Sequence, residues 1–297
     1  GADRPVHRGG GGRLPEKGLE VEMVNLLSAH FFRLWRSRAF WAAMAVMAAA
    51  GVFEVTVGYL SARNLGEALS LDSRYIIFVL LSGIVLAAWT SLFLGAEHSQ
   101  GGLRRKLAAG HTRQAVYAAG LLTAMAAGTL LCLGYIAPVL ALGFPLLGSF
   151  HMGAWAVWSF TLRAVLMTAA LAAVFTMSAT LYANRAACAV LNLTLAYFLV
   201  FLGIFLYSRL SEPAVTPAFE YILNGRIVLQ EAQANPAYTG GLRRTVYALL
   251  FDLPGCQAVQ LAAHAAEPLW RPAAASLAVM AASTAAGLAA FRRKDLK

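Results

Sequence analysis

Six long apolar blocks dominate this sequence and set what it can fold into. Each holds about twenty or more residues, enough for an α-helix to cross the roughly 30 Å hydrocarbon core of a bilayer. The blocks show no alternation of polar and apolar residues, which favours helices over a transmembrane barrel. We therefore predict an all-α polytopic membrane protein with six spans, at residues 40–60, 75–96, 116–140, 155–182, 188–207 and 273–291.

The overall composition supports a lipid environment. Of the 297 residues, 59% are hydrophobic and 13% are charged, whereas soluble chains carry about 25% charged residues. The three cysteines, Cys132, Cys188 and Cys256, have neither CxxC nor metal-ligand spacing. No disulfide framework and no metal site is predicted.

Basic residues near the span ends predict the orientation, because they favour the cytoplasmic side. Four such residues lie on the other side: Arg63, Arg74, Arg209 and Arg271. Twelve lie on the side of the termini: Arg33, Arg36, Arg38, Arg104, Arg105, Lys106, Arg113, Arg185, Arg292, Arg293, Lys294 and Lys297. Both termini are therefore predicted to be cytoplasmic. The net charge of +10 then needs no nucleic-acid partner, since anionic lipid accounts for it.

The chain is expected to hold a single transmembrane domain at 23–297, preceded by a flexible leader or cloning remnant at 1–22. The glycine run at 9–12 lacks the Gly-Lys-Ser/Thr ending of a phosphate-binding loop. Apolar residues from Val24 to Leu34 recur at helical spacing with basic residues between them. They predict a helix in the cytoplasmic interface, the alternative being an extension of the first span.

The second cytoplasmic segment, 97–115, predicts a short basic helix on the membrane surface. Two glycines end the second span, a leucine pair at i and i+4 follows, and a further glycine ends the helix before Thr112 caps the third span. These residues are Gly101, Gly102, Leu103, Leu107 and Gly110. The alternative is a positively charged loop that only fixes topology.

The large outer segment, 208–272, is too apolar to be merely solvated. Its pattern includes Phe219, Ile222 and Ile227, and later the run 249–263 around Pro254-Gly255. We expect two or three short helices that dip into the outer leaflet.

Two charges fall inside predicted spans, Glu54 in the first and Arg163 in the fourth. Charges in lipid are costly and suggest a function or a partner. At similar depth the two residues could pair or line a polar path, although Arg163 could instead snorkel to the interface. Small residues at intervals of four predict close helix packing, at Gly120, Ala124, Gly128, Ser283 and Gly287.

Catalytic signatures such as HExxH and GxSxG do not occur, and the six histidines are scattered along the chain. No catalytic residues are predicted. From the residues alone, the chain is a non-enzymatic transporter, channel or receptor.

The order of motifs resembles the permease subunits of ATP-binding-cassette transporters of the type-2 family, which includes bacterial antibiotic and antimicrobial-peptide exporters. The start at 23–41 resembles that family's interfacial helix, and 97–117 its loop between spans two and three. The run 252–257 resembles its outer Leu-Pro-x-Gly-Gln segment, with Cys256 interrupting it, and 287–296 resembles its terminus. Gly102 stands where threonine is usual and Thr112 where serine is usual.

This resemblance implies a dimer of permease subunits, identical or different, in a bacterial inner membrane, with ATP and Mg²⁺ on separate ATPase subunits. It implies re-entrant outer helices and a substrate that is hydrophobic or amphipathic, with antimicrobial peptides or drugs favoured. The alternative function is a membrane-embedded enzyme, or an accessory or immunity protein that binds lipid or peptide without transport. The implied coupling residues are Glu97, Gly101, Gly102, Leu103, Arg104, Arg105, Lys106, Leu107, Gly110 and Arg113.

Overall fold

A computed structural model describes residues 16–65, 70–99, 101–182, 184–223, 226–263 and 270–293. Helices account for most of these ranges. They are α1 (Glu16–Arg36), α2 (Arg38–Leu65), α3 (Leu71–Tyr75), α4 (Phe78–Ser99), α5 (Gly102–Ala108), α6 (Arg113–Leu147), α7 (Ala154–Leu181), α8 (Arg185–Ser211), α9 (Gly241–Phe251), α10 (Cys256–Ala262) and α11 (Trp270–Arg293).

Six of the helical segments are long and apolar enough to cross a membrane. They coincide with the six predicted spans, and the second is made of α3 and α4 joined by a turn at 76–77. The all-α polytopic fold is therefore confirmed. Their bounds are Arg38–Asn64, Leu71–Glu97, Arg113–Leu147, Ala154–Leu181, Arg185–Ser211 and Trp270–Arg293.

The bundle packs around α4, α6 and α7. Helix α2 lies along α6, α11 along α7, and α8 along α4. Large side chains fill the interior, among them Phe78, Trp89, Tyr135 and Phe175. Small residues allow close approach as predicted: a Cβ at Gly287 would lie 2.2 Å from the Tyr117 hydroxyl of α6.

Because the spans alternate in direction, the bundle has two ends. We call the end that carries α1, α5 and the last turn of α11 the α5 face, and the end that carries α9 and α10 the α9 face. At the α5 face, α1 packs against α6. Ser37 lies between α1 and α2, and its hydroxyl accepts a hydrogen bond from the Phe40 amide in the first turn of α2.

Helix α1 starts earlier than the predicted leader allows. The leader was expected to reach residue 22, but α1 begins at Glu16, and the Glu22 carboxylate accepts a 2.7 Å hydrogen bond from the Thr112 amide. Residues 1–15 lie outside the described part of the chain. The buried stripe of α1 holds Leu26, His30 and Leu34, whereas Val24, expected on that stripe, is exposed.

Part of the segment 208–272 is a β-hairpin, where only helices were predicted. Strands β1 (Val215–Thr216) and β2 (Phe219–Leu223) pair antiparallel with β4 (Gln233–Ala234) and β3 (Arg226–Gln230). The register matches Val215 with Ala234 and Leu223 with Arg226. The prediction of short helices is confirmed for α9 and α10 and wrong for this hairpin.

Candidate functional site: a buried carboxylate that anchors a short surface helix

The candidate site forms where α4 reaches the α5 face. Glu97 ends an otherwise apolar stretch of α4 and is only 5% exposed. A buried carboxylate is costly unless cations and hydrogen-bond donors surround it. Its partners come from α1 and α5.

Arg33 of α1 supplies the first cation. One guanidinium nitrogen donates to Glu97 Oε1, and the other donates to the Phe93 carbonyl oxygen at 3.2 Å. The guanidinium carbon lies 4.0 Å from the centre of the Phe93 ring, a cation–π distance. Arg33 therefore holds α1 on the last turns of α4.

Lys106 of α5 supplies the second cation. Its ammonium nitrogen lies 2.7 Å from Glu97 Oε1 and 2.6 Å from His30 Nε2. The chain reverses between α4 and α5 at Gly101, whose φ of 66° suits glycine. Lys106, counted above among the basic residues that orient the chain, thus points into the protein.

Burial, together with the neighbouring charges, sets the protonation of this cluster. Burial lowers the pKa of His30 from 6.5 to about 4, and Lys106 and Arg33 act in the same direction, whereas Glu97 opposes them. Burial also lowers the pKa of Lys106, and its bond to Glu97 opposes that shift. The neutral His30 Nε2 then accepts from the Lys106 ammonium, which places the ring proton on Nδ1.

The residues that follow α5 are fixed as well. Gly110, with φ of 94°, ends α5, and the Thr112 hydroxyl accepts from the Ala115 amide to cap α6 as predicted. Glu22 of α1 binds the same corner through the Thr112 amide and lies 3.3 Å from His111 Nδ1. Helix α5 is therefore bonded to α4 through Lys106 in its last turn, and the residues just after it are bonded to α1.

Arg113 ties this corner to the last helix. Its guanidinium donates to the carbonyl oxygens of Phe291 at 2.7 Å and Arg292 at 3.0 Å. These carbonyls belong to the last turn of α11, where basic side chains are favourable. Arg113 thus joins α6 to α11 at the α5 face.

Two of the implied coupling residues, the leucines of α5, face the protein and not a partner. Leu103 is 5% exposed and packs with Leu26 and Val116, and Leu107 lies partly buried against the same cluster. The exposed side of α5 is formed instead by Arg104, Arg105, Ala108 and Ala109. This exposed side consists of basic and small residues, and Gly110 is also exposed just after the helix.

The expected pair of Glu54 and Arg163 does not form. Glu54 Oε2 accepts from Arg74 at 3.3 Å, because α2 packs on α3 and α6 and α3 carries Arg74. Arg163 Nε donates to the Ser159 carbonyl oxygen of its own helix at 3.3 Å. The two residues were expected to pair because they lie at similar depth in the membrane, but depth does not indicate which helices are neighbours.

A second buried polar cluster joins α9, α10 and α11 at the α9 face. Asp252 Oδ2 accepts from Arg271 at 2.8 Å, and Gln257 donates to the Pro272 carbonyl oxygen at 2.9 Å. Ser276 donates to Gln257 Oε1 at 3.1 Å. The 252–257 run therefore fixes the start of the last span, and α10 packs against α4, α7 and α8.

Sequence reasoning missed His30 and Arg33 at the Glu97 cluster. His30 lies four residues after Leu26 and four before Leu34, on the buried stripe, and that spacing was the available signal. Arg33 was counted only as an orienting charge. Within the described ranges, no group of three or more His, Cys, Asp or Glu side chains could hold a metal ion.

A scan against models of known protein families finds no match for this chain, and a search of curated proteins finds none either. The resemblance to type-2 permeases thus rests on the motifs quoted above.

Proposed function

We propose that this chain is the permease subunit of an exporter driven by a separate ATPase, which docks on the exposed side of α5. The observation that carries this proposal is the anchoring of α5. Lys106, in the last turn of α5, is bonded to Glu97 of α4, and Glu22 of α1 holds the Thr112 amide just after α5. Arg104 and Arg105 stay exposed. A loop that only set topology would not need these bonds.

The anchoring suits the transfer of movement. Helix α5 lies between two spans, α4 and α6, and Arg113 links α6 to α11. Because packed interfaces shift between discrete arrangements, a push on a bonded helix moves the spans it is bonded to. The ATPase would supply the energy with ATP and Mg²⁺, and its docking surface should be acidic to match Arg104.

For this function, the α5 face must lie in the cytoplasm, where the ATPase and ATP are. The excess of basic residues at the α5 face supports a cytoplasmic α5 face in a bacterial inner membrane. A second permease subunit, identical or different, would complete the translocation path. Large exposed apolar residues suited to lipid or such a partner lie on α2 and α8, among them Phe53, Phe198 and Phe201. The favoured substrates remain antimicrobial peptides or drugs.

Co-purification tests the proposal. The chain is purified from its native membrane, and associated chains are identified by mass spectrometry, with a P-loop ATPase as the expected partner. Arg104→Glu should release that ATPase while thermal unfolding stays unchanged. Arg36→Glu is the matched control, since Arg36 is also basic and exposed at the α5 face but lies on α1.

Two outcomes would overturn this assignment. If the native chain brings down no ATPase, the alternative of an accessory, immunity or enzymatic membrane protein takes its place. If the ATPase stays bound to Arg104→Glu and transport by the complex is normal, α5 is not the docking helix.

A further inference from the structure

An apolar groove on the membrane-spanning part of α7 carries a single charged side chain, that of Arg163. The groove has a volume of about 560 Å³ and runs along α7 to Ala273 at the start of α11. Its walls include Trp155, Trp158 and Leu162, which are 79%, 73% and 70% exposed. A groove of this kind faces lipid when the helices lie in a bilayer.

Arg163 has no acidic neighbour in the described part of the chain. Three carboxylates toward the α9 face are bonded to other basic side chains: Glu54 to Arg74, Asp72 to His151 and Asp252 to Arg271. The guanidinium instead donates through Nε to the Ser159 carbonyl oxygen, one turn nearer the α9 face. Its remaining donors are therefore available for an anion.

The Arg163 backbone lies below the lipid headgroups but within reach of them for a long side chain. It lies nine residues after the start of α7, about 14 Å along the axis at 1.5 Å per residue. Helix α7 has 28 residues, so it exceeds the ~30 Å hydrocarbon core by roughly 12 Å. An arginine that points outward from this depth reaches the phosphate region by snorkelling. Trp155 and Trp158 occupy the level of an aromatic belt.

A second copy of this chain bound in the groove would supply no counter-charge for Arg163. In a two-fold contact through α7 and α11, each groove would meet its own equivalent. Neither helix contains an Asp or Glu, so two arginines would approach each other without a counter-charge. An anion with an apolar tail supplies what the groove lacks.

We propose that this groove binds one anionic phospholipid from the leaflet at the α9 face. The headgroup phosphate accepts from the Arg163 guanidinium, and an acyl chain lies along Leu162 and Leu166. A guanidinium can donate two parallel hydrogen bonds to a phosphate. This site is independent of any transport activity, and it holds for either function considered above.

Native mass spectrometry tests the site on the full chain in neutral detergent. The protein is titrated with phosphatidylglycerol or phosphatidylcholine, and tightly bound lipids are counted. We expect Arg163→Gln to retain one fewer phosphatidylglycerol than the unchanged chain. It should also lose part of the rise in unfolding temperature that phosphatidylglycerol causes. Arg209→Gln is the matched control, since Arg209 lies exposed in the last turn of α8 at the α9 face.

Trp158→Ala is a second variant that removes a mostly exposed wall of the groove, so it should fold even if Arg163→Gln does not. We expect it to lose the same lipid. Equal retention of phosphatidylglycerol by the unchanged chain and by whichever of these variants folds would overturn the proposal. Equal retention of phosphatidylcholine and phosphatidylglycerol at the lost position would overturn its preference for an anionic headgroup.

Discussion

The ammonium nitrogen of Lys106 lies 2.7 Å from Glu97 Oε1 and joins α5 back onto α4 across the turn at Gly101. Arg33 binds the same oxygen from α1. One carboxylate therefore connects three helices at the α5 face, and each prediction about this face depends on how it is held.

Glu97→Gln should lower stability, because it leaves Arg33 and Lys106 beside each other with no counter-charge. Loss of one partner from a fully buried pair costs ~3–5 kcal/mol. We expect about 2 kcal/mol here, because the Arg33 side chain is 40% exposed and solvent screens it. Thermal unfolding in detergent measures the change, with the exposed Glu231→Gln as control. Equal unfolding temperatures for both variants would contradict a structural role for the cluster.

Acid should destabilise the protein through His30. Its pKa is about 4 in the folded chain against 6.5 for the ordinary side chain, so the unfolded state binds more protons between these values. Stability contributed by His30 is therefore complete above pH 6.5 and falls as the pH drops toward 4. At pH 5 the loss is about 2 kcal/mol.

Unfolding temperatures at pH 7.5 and pH 5 measure this effect. His30→Gln should shrink the difference between the two pH values, whereas His151→Gln should keep it, because the His151 side chain is 71% exposed. The same pH dependence in all three proteins would show that another group titrates.

Leu103→Ala should destabilise the chain although Leu103 lies in a short surface helix. Truncation of a buried leucine costs about 2–5 kcal/mol, whereas Leu242→Ala, at a side chain 80% exposed, should stay within about 0.5 kcal/mol. Chemical or thermal unfolding compares the two. A small effect of Leu103→Ala would contradict the burial of this side chain and indicate that it lies on the exposed side of α5.

Gly287→Ala should loosen the contact between α6 and α11. The added Cβ would lie 2.2 Å from the Tyr117 hydroxyl and 2.7 Å from ring carbon Cζ, so the ring must move. Tyr117→Phe removes the nearest atom and should recover part of the loss. A double-mutant cycle on the unfolding temperature measures this coupling, and additive effects would mean that α11 does not press on Tyr117.

Cysteine labelling should fix the orientation. The native Cys132, Cys188 and Cys256 are all buried, so an impermeant maleimide should report mainly on introduced residues. We expect Ala234→Cys to react in intact cells and Ala109→Cys only after the membrane is opened. The reverse pattern would place the α5 face outside and remove the proposed site for a cytoplasmic ATPase.

The six spans were predictable because apolar runs are a local property of the sequence. The hairpin also had a local signal that went unused: the letters between β2 and β3 read Asn224-Gly225, a dipeptide preferred in two-residue hairpin loops. Apolar residues such as Ile222 were instead attributed to helices.

Partners far apart in sequence were harder to predict. Glu97 and Arg33 are 64 residues apart, and only the fold of α1 over α4 shows that they meet. Glu54 was matched with Arg163 by depth alone, while Arg74 was counted only as an outer charge. The direction in which Leu103 points also depended on α1, whose Leu26 covers it.

The bonds from Arg113 to Phe291 and Arg292 can form only late in synthesis, after the last helix has entered the membrane. A ribosome delivers α6 to the membrane long before α11, so Arg113 and the ring of Tyr117 emerge without the helix that covers them. Insertion of α11 is then the step that closes the bundle at this end. A nascent chain halted before residue 291 would present this unfinished surface to chaperones and membrane proteases.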